Sequence, residues 1–192
     1  TAFAAEPLEH PWFAPGQPPV IVGVGGLRTQ KGFDTLLTAF AKVRASRPCR
    51  LMILGEGRLR NRLRDQAVRL GVEADFALPG FDPNPYRYLA RAGLYVLASR
   101  WEGSPNALTE ALAIGVPVVA ADCPSGPREI LRGGVVAPLV PVDDADAMAA
   151  AMNRVLDAPG DRGARQAAVA EYTVELCAQR YHQLFLSLEH AA

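Results

Sequence analysis

Short apolar runs alternate with amphipathic segments along most of this chain, and this alternation constrains the fold more than any other feature. The first run, Val20–Val24, is wholly apolar and rich in β-branched residues, which is typical of a strand covered on both faces. Five apolar residues then recur at helical spacing: Phe33, Leu36, Leu37, Phe40 and Ala41. The alternation continues to the end of the chain, which predicts one α/β domain built on a parallel sheet.

The same pattern gives the approximate bounds of the other elements. It predicts strands over residues 51–54, 75–78, 94–98, 118–121 and 134–139. It predicts helices over residues 31–46, 58–70, 86–92, 106–114 and 146–156, and one or two helices over 164–189. Residues 1–19 carry five prolines and no periodicity, so we interpret them as a proline-rich linker between domains that precedes a domain over 20–192.

The expected sheet is doubly wound, with strand order 3-2-1-4-5-6. In this order the first and fourth strands are neighbours where the winding reverses, and ligands bind outside the carboxyl ends of such strands. The loops that follow these two strands are residues 25–32 and 99–106. We therefore expect the functional site where these two loops meet.

Charge narrows the kind of ligand. Twenty basic and twenty acidic side chains give a net charge of zero, which argues against nucleic acid as a partner. The distribution is uneven, because residues 28–69 hold eleven cations and three acids, a net charge of +8. This asymmetry favours a local anionic ligand.

Cysteine use and hydropathy bear on the compartment. The three cysteines are widely scattered and no apolar run reaches the roughly 18 residues of a membrane span. We expect a reduced, cytoplasmic protein. The arginine-rich segment 58–69 is expected to be a solvated helix face, with contact to an anionic membrane as the alternative.

The first loop has the composition of a phosphate site. Gly25 and Gly26 would let backbone amides approach a ligand, and Lys31 would add an ammonium at the start of a helix. The loop lacks the third glycine of the dinucleotide fingerprint, where Arg28 stands, and the Ser or Thr of a P-loop, where Gly32 stands. A tight turn with a solvated lysine remains the alternative.

The second loop leads into a helix and carries two acids. Ser104 is the predicted N-cap and Pro105 the first helical residue, which would leave the amides of Asn106 and Ala107 free. Glu102 and Glu110 flank this helix start, an arrangement that suits a ligand with both phosphates and hydroxyl groups. Alternatively, Glu102 favours the helix dipole and Glu110 is a surface residue.

Six segments together resemble the C-terminal half of retaining GT-B glycosyltransferases of the group 1 type. They are K-G-F at 31–33, G-E-G at 55–57, G-F at 80–81, the E-x7-E pair of Glu102 and Glu110, G-V-P-V-V at 115–119 and D-C-P-S-G-P-R-E-I-L at 122–131. The resemblance implies a Rossmann-like domain that binds a nucleotide sugar, with a separate N-terminal domain for the acceptor. It implies transfer with retention to an acceptor of the polysaccharide or lipid-linked type. It implies no metal and no cofactor, because the nucleotide sugar is a substrate. A UDP-sugar is favoured over a GDP-sugar as the donor.

The resemblance also implies roles for single residues. The phosphate-binding lysine falls on Lys31 and the sugar-contacting glutamate on Glu102, which are the predicted catalytic residues. Glu110 would bind the ribose, and the nucleobase would lie near Phe81, which equally fits a core position. The predicted donor-binding set is Gly25, Gly26, Arg28, Lys31, Phe81, Glu102, Gly103, Ser104, Pro105, Asn106, Ala107 and Glu110.

One position departs from the family pattern. The family usually has arginine directly after the first-strand glycine, paired with the lysine on the diphosphate, and Gly26 stands there. Arg28 is the candidate replacement. Without a second cation the leaving phosphate would be less stabilised, which would favour a non-catalytic nucleotide-binding module.

Two lookalikes have simpler interpretations. Asp144 and Asp146 imitate a metal-binding D-x-D pair but stand where a helix N-cap is expected. A Rossmann oxidoreductase is the alternative enzyme class, disfavoured by the missing third glycine.

We expect this chain alone to transfer no sugar, because half of the cleft would be missing.

Overall fold

The computed structural model describes residues 2–189. Its centre is a six-stranded sheet, wholly parallel, with the order β3-β2-β1-β4-β5-β6. The strands are β1 (Val20–Val24), β2 (Arg50–Leu54), β3 (Phe76–Gly80), β4 (Leu94–Leu97), β5 (Val118–Ala121) and β6 (Leu139–Val140). This confirms the predicted doubly wound order, with β1 and β4 adjacent at the winding reversal.

Helices cover both faces of the sheet. They are α1 (Ala2–Ala5), α2 (Phe33–Ser46), α3 (Arg60–Arg69), α4 (Tyr86–Leu89), α5 (Asn106–Ile114), α6 (Pro127–Ile130), α7 (Ala145–Asp157), α8 (Arg162–Ala168) and α9 (Val174–Glu189). Alternate strand residues enter opposite cores: Ile21 packs with α2, α3 and α7, whereas Val22 packs with α4 and α5. Burial on both faces explains why the strands are continuous apolar runs.

Two sequence predictions about local structure are wrong. Residues 134–139 are not one strand: Gly133 and Gly134 have φ of +66° and +99°, which extended backbone excludes, and β6 begins only at Leu139. Lys31 does not start a helix, because it ends a 3-10 turn at residues 29–31 and Gly32, with φ of +58°, separates that turn from α2. Lys31 therefore lies just ahead of α2 and not in its first turn.

The proline-rich N-terminal segment lies against the domain. Leu8, Trp12 and Phe13 pack against the core that contains α4 and α5, and the Arg50 guanidinium lies 5.2 Å from the Trp12 ring centroid. Because its prolines are interpreted as a linker, the sequence pattern predicts neither α1 nor the 3-10 turn at residues 11–13. The role of this segment as a link between domains stays a prediction.

Among the described helices, none combines the length and apolar character required to cross a bilayer.

Candidate functional site

The loops after β1 and β4 contact each other at the carboxyl edge of the sheet. The Arg100 amide donates to the Gln30 carbonyl at 2.7 Å, and the Gln30 side-chain amide donates to the Trp101 carbonyl at 3.0 Å. The second of these bonds joins residues 71 apart in the sequence, as the strand order requires. The two loops thus form one rim.

A close backbone approach fixes the first loop against its neighbour. A Cβ at Gly55 would lie 2.0 Å from the Gly25 carbonyl oxygen, and Gly55 also has φ of +144°. Only glycine fits this position without displacing backbone. The loop after β2 therefore supports the floor of the first loop.

Lys31 and Glu102, the two predicted catalytic residues, form an ion pair. The Lys31 Nζ lies 2.7 Å from Glu102 Oε1, and the Glu102 side chain is 6% exposed. Ser99, itself buried, donates its hydroxyl to the same oxygen at 2.6 Å. Two donors on Oε1 offset the cost of burying the carboxylate, and Oε2 accepts no hydrogen bond from residues 2–189.

The Lys31 stem lies along Gly25. A Cβ at Gly25 would be 3.0 Å from Lys31 Cε, so the bare backbone lets the ammonium reach the rim. Lys31 therefore lies close to the second loop, as predicted. Because its ammonium forms an ion pair with Glu102, the alternative of a solvated lysine is wrong.

Arg100 pins the first loop from behind. Its guanidinium donates to the Thr29 carbonyl at 2.6 Å, to Asp143 at 2.9 Å and to Asp34 at 3.0 Å. The hydrogen bond from Arg100 holds the pKa of Asp143 below its usual value. Arg100 thereby fixes the turn that carries Lys31.

The start of α5 differs from its predicted capping. The helix begins at Asn106, as predicted, but the Ser104 hydroxyl contacts Asn106 Oδ1 at 3.3 Å instead of capping the helix. The Asn106 amide is not free, because it donates to the Ser104 carbonyl at 2.9 Å. The amides of Gly103, Ser104 and Ala107 donate to no atom within residues 2–189, and Pro105, which is buried, precedes the helix as its cap residue.

Glu110 lies on α5 behind this helix start. The Tyr86 hydroxyl donates to Glu110 Oε1 at 3.2 Å. Below both acids lies the fully buried Tyr95, whose pKa is raised by burial and then by the charges of Glu102 and Glu110. Glu110 lines an apolar cavity with Phe3 and Tyr86, so the prediction that Glu102 and Glu110 flank one ligand stays a prediction.

A cavity of about 460 Å³ opens beside the first loop. Gly25, Gly26 and Tyr86 line it together with Phe81, which is 76% exposed and so not a core residue. Arg28 folds back toward this loop, since a Cβ at Gly26 would lie 3.4 Å from Arg28 Nε. The Arg28 guanidinium is exposed and has no ion pair with a side chain that the structure describes.

Sequence reasoning missed three contributors: Ser99, Arg100 and Tyr86. Ser99 and Arg100 stand inside the motif that was singled out, so their position directly after β4 was a usable signal. Nothing in the spacing of Tyr86 points to Glu110, because that contact depends on how α4 packs on α5.

Asp144 and Asp146, the pair that imitates a metal site, have structural roles. Asp144 caps α7 by accepting from the Ala147 amide at 2.8 Å, as predicted, and Asp146 pairs with Lys42. Burial raises the pKa of the Cys123 thiol to about 11, which makes it a poor nucleophile near neutral pH.

Comparison with known proteins identifies relatives. The family described as Glycosyl transferases group 1 matches residues 6–173. An uncharacterized glycosyltransferase of Methanocaldococcus jannaschii is 39% identical over 113 residues, covering 58% of this chain and 28% of that protein. The N-acetylgalactosamine-N,N'-diacetylbacillosaminyl-diphospho-undecaprenol 4-alpha-N-acetylgalactosaminyltransferase of Campylobacter jejuni is 36% identical over 137 residues, covering 71% and 37%.

A solved structure gives the same fold. The Anabaena protein HepE, crystallised with UDP and glucose, matches with a TM-score of 0.78 at 22% identity, covering 88% of this chain and 48% of that one. At this identity the likeness concerns the fold alone. This chain spans about a third of the length of the two curated relatives and about half of the solved one.

Proposed function

The chain belongs to the glycosyl transferases group 1 family, and we propose that it is the nucleotide-sugar-binding domain of a retaining glycosyltransferase. In this proposal a UDP-sugar binds across the carboxyl ends of β1 and β4. An N-terminal domain of the same protein brings a glycan or lipid-linked acceptor to the opposite side of the cleft. The enzyme would work in the cytoplasm, with or without contact to a membrane surface.

One observation carries the proposal: an ammonium, a set of amides without a partner among residues 2–189 and the Glu102 carboxylate share one rim, with Glu110 behind it on α5. Lys31 reaches the rim along Gly25, while the amides of Gly103, Ser104 and Ala107 have no partner within residues 2–189. Cations and amides bind phosphate oxygens, and carboxylates accept hydrogen bonds from sugar hydroxyls. A nucleoside diphosphate joined to a sugar offers both kinds of group.

The chemistry follows from where charge develops. When the bond from the sugar to the diphosphate breaks, negative charge grows on the leaving phosphate oxygen. Fixed donors aimed at that oxygen stabilise the transition state more than the ground state. In the proposed mechanism Lys31 and the amides at the α5 start supply this stabilisation, and no metal ion takes part.

Glu102 has two tasks in this mechanism. Its Oε1 holds the Lys31 ammonium in place, and its Oε2, which has no partner within residues 2–189, is available to a hydroxyl of the transferred sugar. The phosphate would share Lys31 with Glu102, so the ammonium is positioned before the donor arrives.

Arg28 is the proposed second cation. Its guanidinium lies close to Gly26, the position at which the family usually has arginine. It has no ion pair among the described side chains. A cation within about 4 Å of a phosphate is worth roughly 4 kcal/mol of attraction at an effective dielectric of 20, before desolvation. We propose that Arg28 moves onto the diphosphate when donor binds.

The test is calorimetric titration of the chain with UDP, GDP and ADP. We expect binding of at least one of them, with UDP favoured, and a loss of affinity of tenfold or more in Lys31→Ala. Lys42→Ala is the matched control, because Lys42 is the other lysine of the chain and also forms an ion pair, with Asp146 at 2.6 Å. Equal affinity in wild type and Lys31→Ala would contradict the proposal.

A sugar-transfer assay tests whether the acceptor side of the cleft comes from another domain. We expect the isolated chain to transfer no sugar to an added acceptor, because the acceptor side of the cleft would come from another domain. Measurable transfer by this chain alone would show that the second domain is not needed.

A further inference from the structure

Tyr86 links two helices at the edge of the proposed donor site. It is the first residue of α4, and its hydroxyl donates to Glu110 Oε1 on α5 at 3.2 Å. The residue is half-buried, and burial followed by the charge of Glu110 raises the pKa of its hydroxyl. The hydroxyl therefore keeps its proton near neutral pH and acts as a donor to the carboxylate.

Contacts on the other side hold the Tyr86 ring in this position. The Phe3 ring lies with its centroid 6.4 Å away, and the Asn84 side-chain amide ties the same segment down through the Phe3 carbonyl at 2.9 Å and Glu6 at 2.7 Å. The N-terminal segment thus packs against Tyr86. Support of this kind keeps a side chain within the narrow range that a binding site requires.

Tyr86 also separates two cavities. On one side it lines the cavity of about 460 Å³ that includes Gly25, Gly26 and Phe81. On the other side it closes an apolar cavity of about 300 Å³ with Phe3, Ala4 and Glu110. Glu110 lines the second cavity and not the first, so its hydrogen bond to the Tyr86 hydroxyl is the contact that holds its carboxylate toward the first cavity.

We propose that Tyr86 is a positioning residue, which holds the Glu110 carboxylate so that its second oxygen faces the ribose hydroxyls of the bound nucleotide. This inference rests on the proposed function, since it presupposes that Glu110 binds the ribose. Glu110 Oε1 is occupied by Tyr86, whereas Oε2 accepts no hydrogen bond within residues 2–189. A carboxylate with one oxygen fixed presents the other in a defined direction.

The experiment measures preference for the ribose hydroxyls. Affinities for UDP and for 2′,3′-dideoxy-UDP are compared in wild type, Tyr86→Phe and Glu110→Ala, and the ratio of the two affinities is the readout. We expect Glu110→Ala to abolish the preference for UDP and Tyr86→Phe to reduce it roughly three- to tenfold. Tyr86→Phe should add nothing in the Glu110→Ala background, because Tyr86 acts through Glu110.

Tyr88→Phe is the matched control on the same helix. The Tyr88 hydroxyl also contacts a carboxylate, Asp82 at 3.2 Å, but not Glu110. We expect its removal to leave the UDP to dideoxy-UDP ratio unchanged even if it lowers stability. An equal drop of the ratio in both tyrosine variants would mean a general loss of structure and would overturn the inference.

The variants distinguish a failure of the inference about Tyr86 from a failure of the proposed function. If Glu110→Ala loses the preference and Tyr86→Phe keeps it, the inference is wrong and the proposed function stands. If Glu110→Ala keeps the preference, Glu110 does not bind the ribose and both the inference and that part of the proposed function fall. If wild type binds none of UDP, GDP and ADP, the proposed function itself fails, and the inference with it.

Discussion

Two regions of the proposed donor site are built differently. The inner region, Lys31, Glu102 and Ser99, is held by two hydrogen bonds to one carboxylate oxygen with Glu102 almost fully buried. The outer region, Arg28, Phe81, Gly103, Ser104 and Asn106, is exposed and has few partners among the described residues. Both regions belong to the same rim, yet only one is fixed before a ligand binds.

The difference follows from the cost of burying charge. A buried carboxylate must be paired and hydrogen-bonded, so the inner region has one stable arrangement. An exposed guanidinium loses little free energy by remaining in water and is available to a ligand. The inner region is therefore expected to set geometry, and the outer region to supply binding energy when the donor arrives.

The largest effect should come from the backbone below the inner region. Gly55→Ala would bring a Cβ within 2.0 Å of the Gly25 carbonyl oxygen, and we expect the free energy of unfolding to fall by roughly 3 kcal/mol or more. Gly71→Ala is the control, with φ of +66° but nothing within 4 Å, and should cost only about 1–2 kcal/mol. Urea denaturation measures both, and equal costs would mean that the close approach is not present in solution.

The same substitution in each region sharpens the comparison. Ser99→Ala leaves Glu102 with one donor fewer in a buried position, and we expect it to lower the free energy of unfolding by about 1–3 kcal/mol. Ser104→Ala, in the exposed outer region, should change it by no more than about 0.5 kcal/mol. Thermal or urea denaturation of the two variants checks the difference, and similar values would remove the distinction between the regions.

Arg28 tests whether the outer region supplies affinity. Arg28→Ala should weaken binding of UDP about tenfold, which is roughly 1.4 kcal/mol, and leave the unfolding free energy unchanged. Adding Gly26→Arg to that variant should restore binding, because the three atoms nearest to a Cβ at Gly26 all belong to the Arg28 side chain, which that variant removes. Calorimetry with UDP measures both variants, and failure of Gly26→Arg to restore any affinity would show that a cation at this rim position does not reach the diphosphate.

We expect the smallest effect on stability from the ion pair of Arg100 with Asp143, which lies behind the inner region. The pKa of Asp143 is lowered by Arg100, so its stabilising contribution is full above the unfolded pKa near 3.9 and is lost as pH falls through the folded value. Asp143→Asn should therefore cost at most about 1 kcal/mol at pH 7, discounted for partial exposure, and this cost should disappear once the pH falls below the lowered folded pKa.

Asp65→Asn is the control for this pH dependence, because Asp65 is exposed and has no ion pair with a described residue. Its unfolding free energy should follow wild type across the same pH range. A cost for Asp143→Asn that does not shrink as the pH falls below the unfolded pKa would point to a structural effect unrelated to the charge of Asp143.

Sequence patterns predicted the architecture well because burial on both faces of a parallel sheet leaves a simple mark. The run at 20–24, the helix at 106–114 and the meeting of the loops after β1 and β4 follow from apolar spacing and winding alone. The error at 134–139 arose because Gly134, with φ of +99°, and Val135, with φ of −68° and ψ of −39°, adopt turn conformations at the start of an apolar run without changing its hydropathy. Local composition does not encode such backbone turns.

The site was only partly predictable for a related reason. Lys31 and Glu102 could be brought to one rim by strand order, but their ion pair depends on side-chain directions that spacing does not specify. Tyr86 and Glu110 meet through packing of α4 on α5, a contact between segments 24 residues apart that no motif records. The predicted cap at Ser104 failed because the backbone of residues 104–106 forms its own hydrogen bond.

The most direct test of the account is a crystal structure of this chain with UDP bound. The account predicts phosphate oxygens at hydrogen-bond distance, about 3 Å, from Lys31 Nζ and from backbone amides between Gly103 and Ala107. It also predicts the Glu110 carboxylate on the ribose. A diphosphate bound away from Lys31, or on the far side of the sheet from the α5 start, would contradict it.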